Sequence, residues 1–159
     1  MAFLLLCLYC TSEAAPIVMK NLSLRWSDLD ANFHLRHSSY YDLAAQERIE
    51  ILDQYGITID MMKAQNVGPV LFKEQCEFRR EIHLNSKIHI ITKLLKMKRD
   101  GSFWIIQHEF LSDQDKLHAI IKVEGSWIDT IKRKLARPVP GAILSGLENF
   151  PKTEDFEYV

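Results

Sequence analysis

With 159 residues, 47% hydrophobic and 26% charged, the chain is long enough to bury the core of one domain and is balanced like a soluble globular protein rather than a disordered one. A formal net charge of −1 gives no overall basic field, which argues against nucleic acid as a partner. Three cysteines, Cys7, Cys10 and Cys76, are an odd count that argues against a disulfide framework, and no Cys/His cluster has zinc-site spacing.

The chain opens on an apolar run, Ala2 to Cys10, followed by "SEAAP". The run has no basic region ahead of it and is far too short to span a membrane. Two readings compete: an incomplete signal peptide, or an upstream extension of a chain whose functional start is Met19. The missing signal grammar favours the second, so residues 1–16 are expected to lie outside the fold and the protein to be cytoplasmic. Cys7-x-x-Cys10 lacks the strand-to-helix surroundings of a redox motif.

Ile17 to Trp26 alternates as a first strand should, with Val18, Leu22, Leu24 and Trp26 on one side. A polar cluster follows: Asp28, Asp30, Asn32, His34, Arg36 and His37, interrupted by Leu29, Phe33 and Leu35. Ser38 or Ser39 can cap a long helix, Ser39 to Tyr55, with Tyr40, Leu43, Ala44, Ile51, Leu52 and Tyr55 as its apolar positions and Gly56 just past its end. From Val67 the period changes to two. Val70, Phe72, Cys76, Phe78 and Ile82 share one face, and Lys73, Gln75, Glu77 and Arg79 the other. Ile88 to Met97 is the next strand, "RDGS" at 99–102 an Asp-Gly turn, and Phe103 to Leu111 the strand after it. "SDQD" makes a second turn before a long strand from Leu117 to Ile131, with Leu117, Ala119, Ile121, Val123 and Trp127 on one side. Pro138 and Pro140 end regular pairing, and residues 148–159 read as a loose acidic tail.

Strand, long helix and a four-strand meander make an α+β fold. One helix buries its apolar face by lying across a curved, five-stranded antiparallel sheet.

The polar cluster then takes on a family likeness. Asp28-Leu29-Asp30, His34 four residues after the second aspartate, His37 three further on, Tyr40 and the helix together resemble hotdog-fold thioesterases. The subgroup is that of the 4-hydroxybenzoyl-CoA thioesterase-like acyl-CoA thioesterases, which often carry an arginine at the position of Arg48. The likeness runs from about residue 17 to 145, and the domain is taken as 17–147. Two positions depart from the pattern. Phe33 stands where a small residue, often Gly, precedes the histidine, and Arg36-His37 replace a frequent Asn pair. Phe33 bears on the shape of the pocket mouth and so on substrate size, and Phe33 and Tyr40 are counted among the substrate-contacting candidates.

The resemblance implies hydrolysis of an acyl-CoA, or of an acyl carrier protein thioester, without a cofactor. It gives Asp30 the role of general base or nucleophile, and the amide seven residues on, that of His37, the role of oxyanion donor. His34 either orients Asp30, contacts the thioester or is simply structural, while Asp28 is expected to pair near Arg25. "KRKLAR" at 132–137 is the densest basic run, and Arg133, Lys134 and Arg137 are candidates for the nucleotide phosphates or a solvated strand end. His83, His89, His108 and His118 are scattered over strands and form no metal constellation. Since the family's pocket lies between subunits, a homodimer or a tetramer of dimers is implied. The rival readings are a hotdog hydratase or dehydratase, which normally places its histidine and acid differently, and a non-catalytic acyl-thioester binder in which Phe33 closes the slot.

Overall fold

The computed structural model describes residues 21–159. Its long helix, α1 (His37–Gln54), buries Ser39, Tyr40, Ala44, Ile51 and Leu52. The start differs from expectation, because neither serine caps it. The N-cap is Arg36, whose side chain makes no capping bond, and the Ser39 hydroxyl instead donates to the Asp28 carbonyl at 3.1 Å. The other end is as expected. Gly56 adopts φ +80°, its amide donates to the Asp53 carbonyl at 3.0 Å, and the Ile57 amide reaches back to Leu52 at 2.9 Å. That pair of bonds is the Schellman stop, which needs the left-handed conformation glycine allows.

A short helix the sequence reading lacked, α2 (Ile59–Ala64), follows, with Thr58 as its cap accepting from the Met61 amide. The meander is then β1 (Val67–Phe78), β2 (Ile88–Met97), β3 (Trp104–Ser112) and β4 (Leu117–Asp129), all antiparallel to their neighbours in the order β1-β4-β3-β2. The Asp-Gly turn joins β2 to β3 with Gly101 at φ +70° and the Lys98 amide bonded to the Phe103 carbonyl. Trp104, Ile106, Phe110, Ile121, Val123 and Trp127 are fully buried, each supplying about 1.5–3 kcal/mol of burial free energy or more for the indoles.

Three expectations are corrected. Of the first strand, residues 17–20 lie outside the described residues and Asn21–Arg25 form no strand; the Leu22 amide makes one bond to the Ile88 carbonyl (2.7 Å) and Trp26–Asp28 form a 3₁₀ turn. In β1 the alternation fails at a bulge between Leu71 and Lys73, and Phe72 and Phe78 are 57% and 53% exposed because β1 is an edge strand. The tail is not loose. After Pro140 comes α3 (Gly141–Asn149), which buries Ile143, Gly146 and Leu147. A Cβ on Gly146 would sit 2.6 Å from Ile57 Cγ1 and 2.7 Å from the Tyr55 carbonyl, so glycine permits α3 to press on the exit of α1. Then β6 (Lys152–Tyr158) joins β2 in parallel, while the two-residue β5 (Lys134–Leu135) pairs with the end of β4. The sheet therefore has six strands and a mixed edge. The acidic strand is held by partners far away in sequence: Phe156 packs on the core, Glu157 pairs with Lys96, and the Arg99 guanidinium lies 4.5 Å above the Tyr158 ring.

Candidate active site

The loop ahead of α1 is built on its two aspartates, which do different work. Asp28 is 4% exposed; it accepts from the Arg25 amide at 2.8 Å and from the guanidinium at 2.8 and 3.2 Å. The Arg25 hydrogen bonds hold its carboxyl below the usual carboxylate range. Its backbone carbonyl receives the Arg36 amide (2.8 Å) and the Ser39 hydroxyl, so Asp28 ties the loop to the first turn of α1.

Asp30 is exposed and sits at the head of a tight reversal closed by a bridge between Leu29 and Leu35. Its amide donates to the His34 carbonyl at 2.8 Å, and its Oδ1 accepts from the amides of Asn32 (2.8 Å) and His34 (3.1 Å). Both side-chain bonds fall on Oδ1; Oδ2 has no hydrogen-bond partner among the described residues. The reversal requires a left-handed residue, and Phe33 takes it at φ +62°. That explains the small residue usual at this position and locates the departure. The Phe33 ring is 60% exposed and leans on Trp26 at 5.8 Å.

Asp30, His34, His37 and Tyr40 line one cavity of about 390 Å³, with Leu35 and Phe78 as apolar wall and Arg79, Arg80 and Glu81 contributed by the chain just past β1. His37 is the first residue of α1, so its amide belongs to the first turn, which has no intrahelical acceptors, and no side chain caps that end. Tyr40 is buried between Phe78 and Phe110, at ring distances of 5.1 and 5.2 Å. Burial, with smaller contributions from Cys76 and Asp30, pushes its phenol up to about 12, so it remains a neutral donor at physiological pH. Burial likewise pushes the Cys76 thiol up to about 11, which removes it as a nucleophile at neutral pH.

Phe33 is not part of the cavity lining, and neither are Arg133, Lys134 and Arg137, which are all exposed. Arg79, Arg80 and Glu81 were missed because the strand pattern put Arg79 on a solvent face; they reach the cavity where the chain leaves β1 past Phe78, which no local pattern marks. A second polar group lies between α1 and the sheet. Arg48 Nη1 donates to His108 Nε2 at 3.0 Å, which leaves Nδ1–H to donate to Thr92 Oγ1 at 2.8 Å, and Glu74 Oε1 is 3.8 Å from Arg48 Nη2. His108 is fully buried; burial, and then the Arg48 charge, hold it well below the usual imidazole range and therefore neutral.

One cavity thus brings together a carboxylate with a free oxygen, a group of the kind that serves as base or nucleophile, and an uncapped helix N-terminus and a neutral phenol, donors of the kind that can receive a developing oxyanion.

Residues 24–147 match the sequence pattern of the thioesterase-like superfamily. No curated protein matches the chain in sequence. Among solved structures, the DHNA-CoA thioesterase of Staphylococcus aureus superposes with a TM-score of 0.67 at 16% identity, over 75% of this chain and 78% of that one. The 1,4-dihydroxy-2-naphthoyl-CoA thioesterase of Synechocystis gives 0.70 at 11% identity, over 81% and 93%. A hypothetical protein of Staphylococcus aureus, solved in complex with CoA, gives 0.75 at 11% identity, over 85% and 86%. These likenesses carry the hotdog fold, and the family match covers most of the chain: it belongs to the thioesterase-like superfamily.

Proposed function

We propose that the protein hydrolyses acyl-CoA thioesters at the cavity below the Asp30 loop. The observation that supports this most is the meeting of Asp30 and the uncapped N-terminus of α1 at one cavity. Asp30 takes a proton from water through its free oxygen, or attacks the thioester carbonyl itself to give a mixed anhydride. As the carbonyl oxygen gains charge, the His37 amide and the positive end of the helix receive it. The CoA thiolate, a good leaving group, then departs; on the base route it recovers the proton held by Asp30, and on the nucleophilic route a water cleaves the anhydride to free acid and restores the Asp30 carboxylate. Tyr40 supports the loop from beneath and offers its neutral hydroxyl to the cavity, while His34, whose amide already bonds Asp30, holds that carboxylate in place.

Arg79 and Arg80 line the cavity and suit the phosphates of CoA. Arg133, Lys134 and Arg137 retain that role only by reaching the cavity of a second subunit. A dimer is part of the proposal. The β6 edge is short and acidic, as protected edges are, whereas β1 is a twelve-residue edge with Leu71, Phe72 and Phe78 exposed. Phe78 also lines the cavity, so pairing two β1 strands completes the site.

The test is a panel of acyl-CoAs, aromatic and aliphatic, assayed by release of free thiol. Turnover of at least one member, abolished by Asp30→Asn, is the expected result. Tight acyl-CoA binding with no thiol release across the panel would make the protein a binder instead.

A further inference from the structure

Beside the cavity, the chain that leaves the Asp30 loop meets the chain that leaves β1. His34 and His83 face each other in an antiparallel bridge, fixed by the Leu35 amide on the Ile82 carbonyl at 2.7 Å and the His83 amide on Ser86 Oγ at 3.0 Å. Glu81 lies between them, its backbone carbonyl held by His118 Nδ1–H at 2.9 Å. Both imidazoles turn Nε2 toward the same oxygen: Glu81 Oε2 is 3.5 Å from His34 Nε2 and 3.7 Å from His83 Nε2. One donor atom from each of the three residues lies within 4.8 Å of the others.

These separations are too long for ordinary hydrogen bonds, which span about 2.7–3.2 Å. The two carboxylate–imidazole separations, 3.5 and 3.7 Å, are close to the edge of a tetrahedron, about 3.3 Å, around a metal bonded at about 2.0–2.2 Å. We propose that His34, Glu81 and His83 bind a divalent cation of the zinc class at the rim of the cavity. Two imidazoles and one carboxylate suit zinc or its transition-metal neighbours; magnesium and calcium prefer all-oxygen sets. Three protein ligands leave one coordination position for water or a cavity ligand, as in open zinc sites.

Two nearby guanidiniums oppose a cation; the Glu77 carboxylate offsets one, while the other, bonded to a neutral carbonyl, keeps its charge and limits the affinity the site can reach. Arg79 is paired with Glu77 Oε2, and Arg80 donates to the Leu117 carbonyl. The remaining closure of the triangle needs only side-chain rotation, because Glu81 and His83 are 66% and 57% exposed. The sequence spacing hid this set, since His34 stands alone and lies far from Glu81-x-His83 along the chain.

The experiment uses the full-length, untagged chain, stripped with chelator and titrated with Zn²⁺ by calorimetry and with Co²⁺ by visible absorption. The parent is expected to show one equivalent with the absorption of a nitrogen–oxygen cobalt site. His83→Ala, which leaves the cavity lining intact, should weaken that equivalent at least tenfold, as should Glu81→Gln. Cys7 and Cys10 are present in every variant, so the difference isolates this site. His37→Ala, an exposed imidazole outside the cluster, should bind as the parent does. The proposal is overturned if His83→Ala leaves binding unchanged, if His37→Ala weakens it equally, or if the parent has no equivalent that His83 controls. Binding requires no turnover, so this outcome is independent of the Asp30 chemistry.

Discussion

Asp28 and Asp30 differ by two positions and by almost everything that decides a carboxylate's role. Asp28 is buried, bonded through both oxygens and held below the normal range by Arg25; Asp30 is exposed, with both side-chain bonds on one oxygen. Asp30→Asn keeps size and the Oδ1 bonds but removes the charge a base or nucleophile needs. Thioester hydrolysis should fall at least about a hundredfold, the low end for general acid–base groups, with acyl-CoA binding retained. Asp28→Asn should lower the melting temperature more and the rate less, since it loosens the anchor of the loop. His37→Ala should be mild, because alanine keeps the amide. If His37→Ala alone abolishes turnover with the loop intact, the imidazole and not the amide is the acting group.

The contact between α1 and the sheet places a guanidinium, a neutral imidazole and a threonine in series, all shielded from solvent. Removing the imidazole leaves the Thr92 hydroxyl and one Arg48 nitrogen without their partner, so His108→Leu should cost about 1–3 kcal/mol in urea unfolding even with Glu74 still facing Arg48. Adding Arg48→Met should return much of that loss, because the pair is then replaced by apolar volume. Equal and additive losses would show that the two groups are uncoupled. The imidazole also predicts a pH dependence. His108 is held neutral in the fold, while in the unfolded chain it titrates near the usual value of about 6.5. The unfolded state therefore binds more protons once pH drops below that value. Stability is complete above it and declines as pH falls from there toward the folded value, by at most about 1.4 kcal/mol per pH unit for one group. Between pH 7.5 and 5.5 the urea midpoint of the parent should drop more than that of His108→Gln. The lowered carboxyls Asp28, Asp100 and Asp129 lose their contribution only at more acid pH, outside this window.

Such couplings also mark the boundary of what the sequence made legible. Periodicity located α1 to within two residues at its start and β2 at both ends, because each carries its burial pattern and stop signal locally. The Asp30 loop was readable from residue types and spacing. Arg79, Arg80 and Glu81 were not, because they meet the cavity only where the chain turns away past the end of β1; nor was the Arg48–His108 bond, which joins residues sixty positions apart. The acidic β6 has little strand signal of its own and is fixed by β2, including the Leu94 amide bonded to the Pro151 carbonyl.

Seen as a whole molecule, the sheet has two edges of opposite character, and in the proposed dimer this selects β1 as the edge that joins. Along β6, Glu154, Asp155 and Glu157 present like charge to any approaching strand. Along β1, Leu71, Phe72 and Phe78 are 39%, 57% and 53% exposed, which leaves apolar surface beside unpaired backbone groups. Two copies joined through β1 bury that surface and bring the end of each β1, with Phe78, Arg79 and Arg80, beside the joint. Sedimentation at micromolar concentration should give a dimer or a dimer-based tetramer for the parent. Phe72→Lys introduces a charge at the joint without touching the buried core, and should shift the protein toward monomer and lower turnover together. Glu154→Lys, on the opposite edge, should leave both unchanged. A parent that sediments as a monomer while hydrolysing acyl-CoA normally would show that one subunit completes its own site. If Phe72→Lys stays dimeric and Glu154→Lys does not, the joining edge is β6, and Phe78 belongs only to the cavity of its own chain.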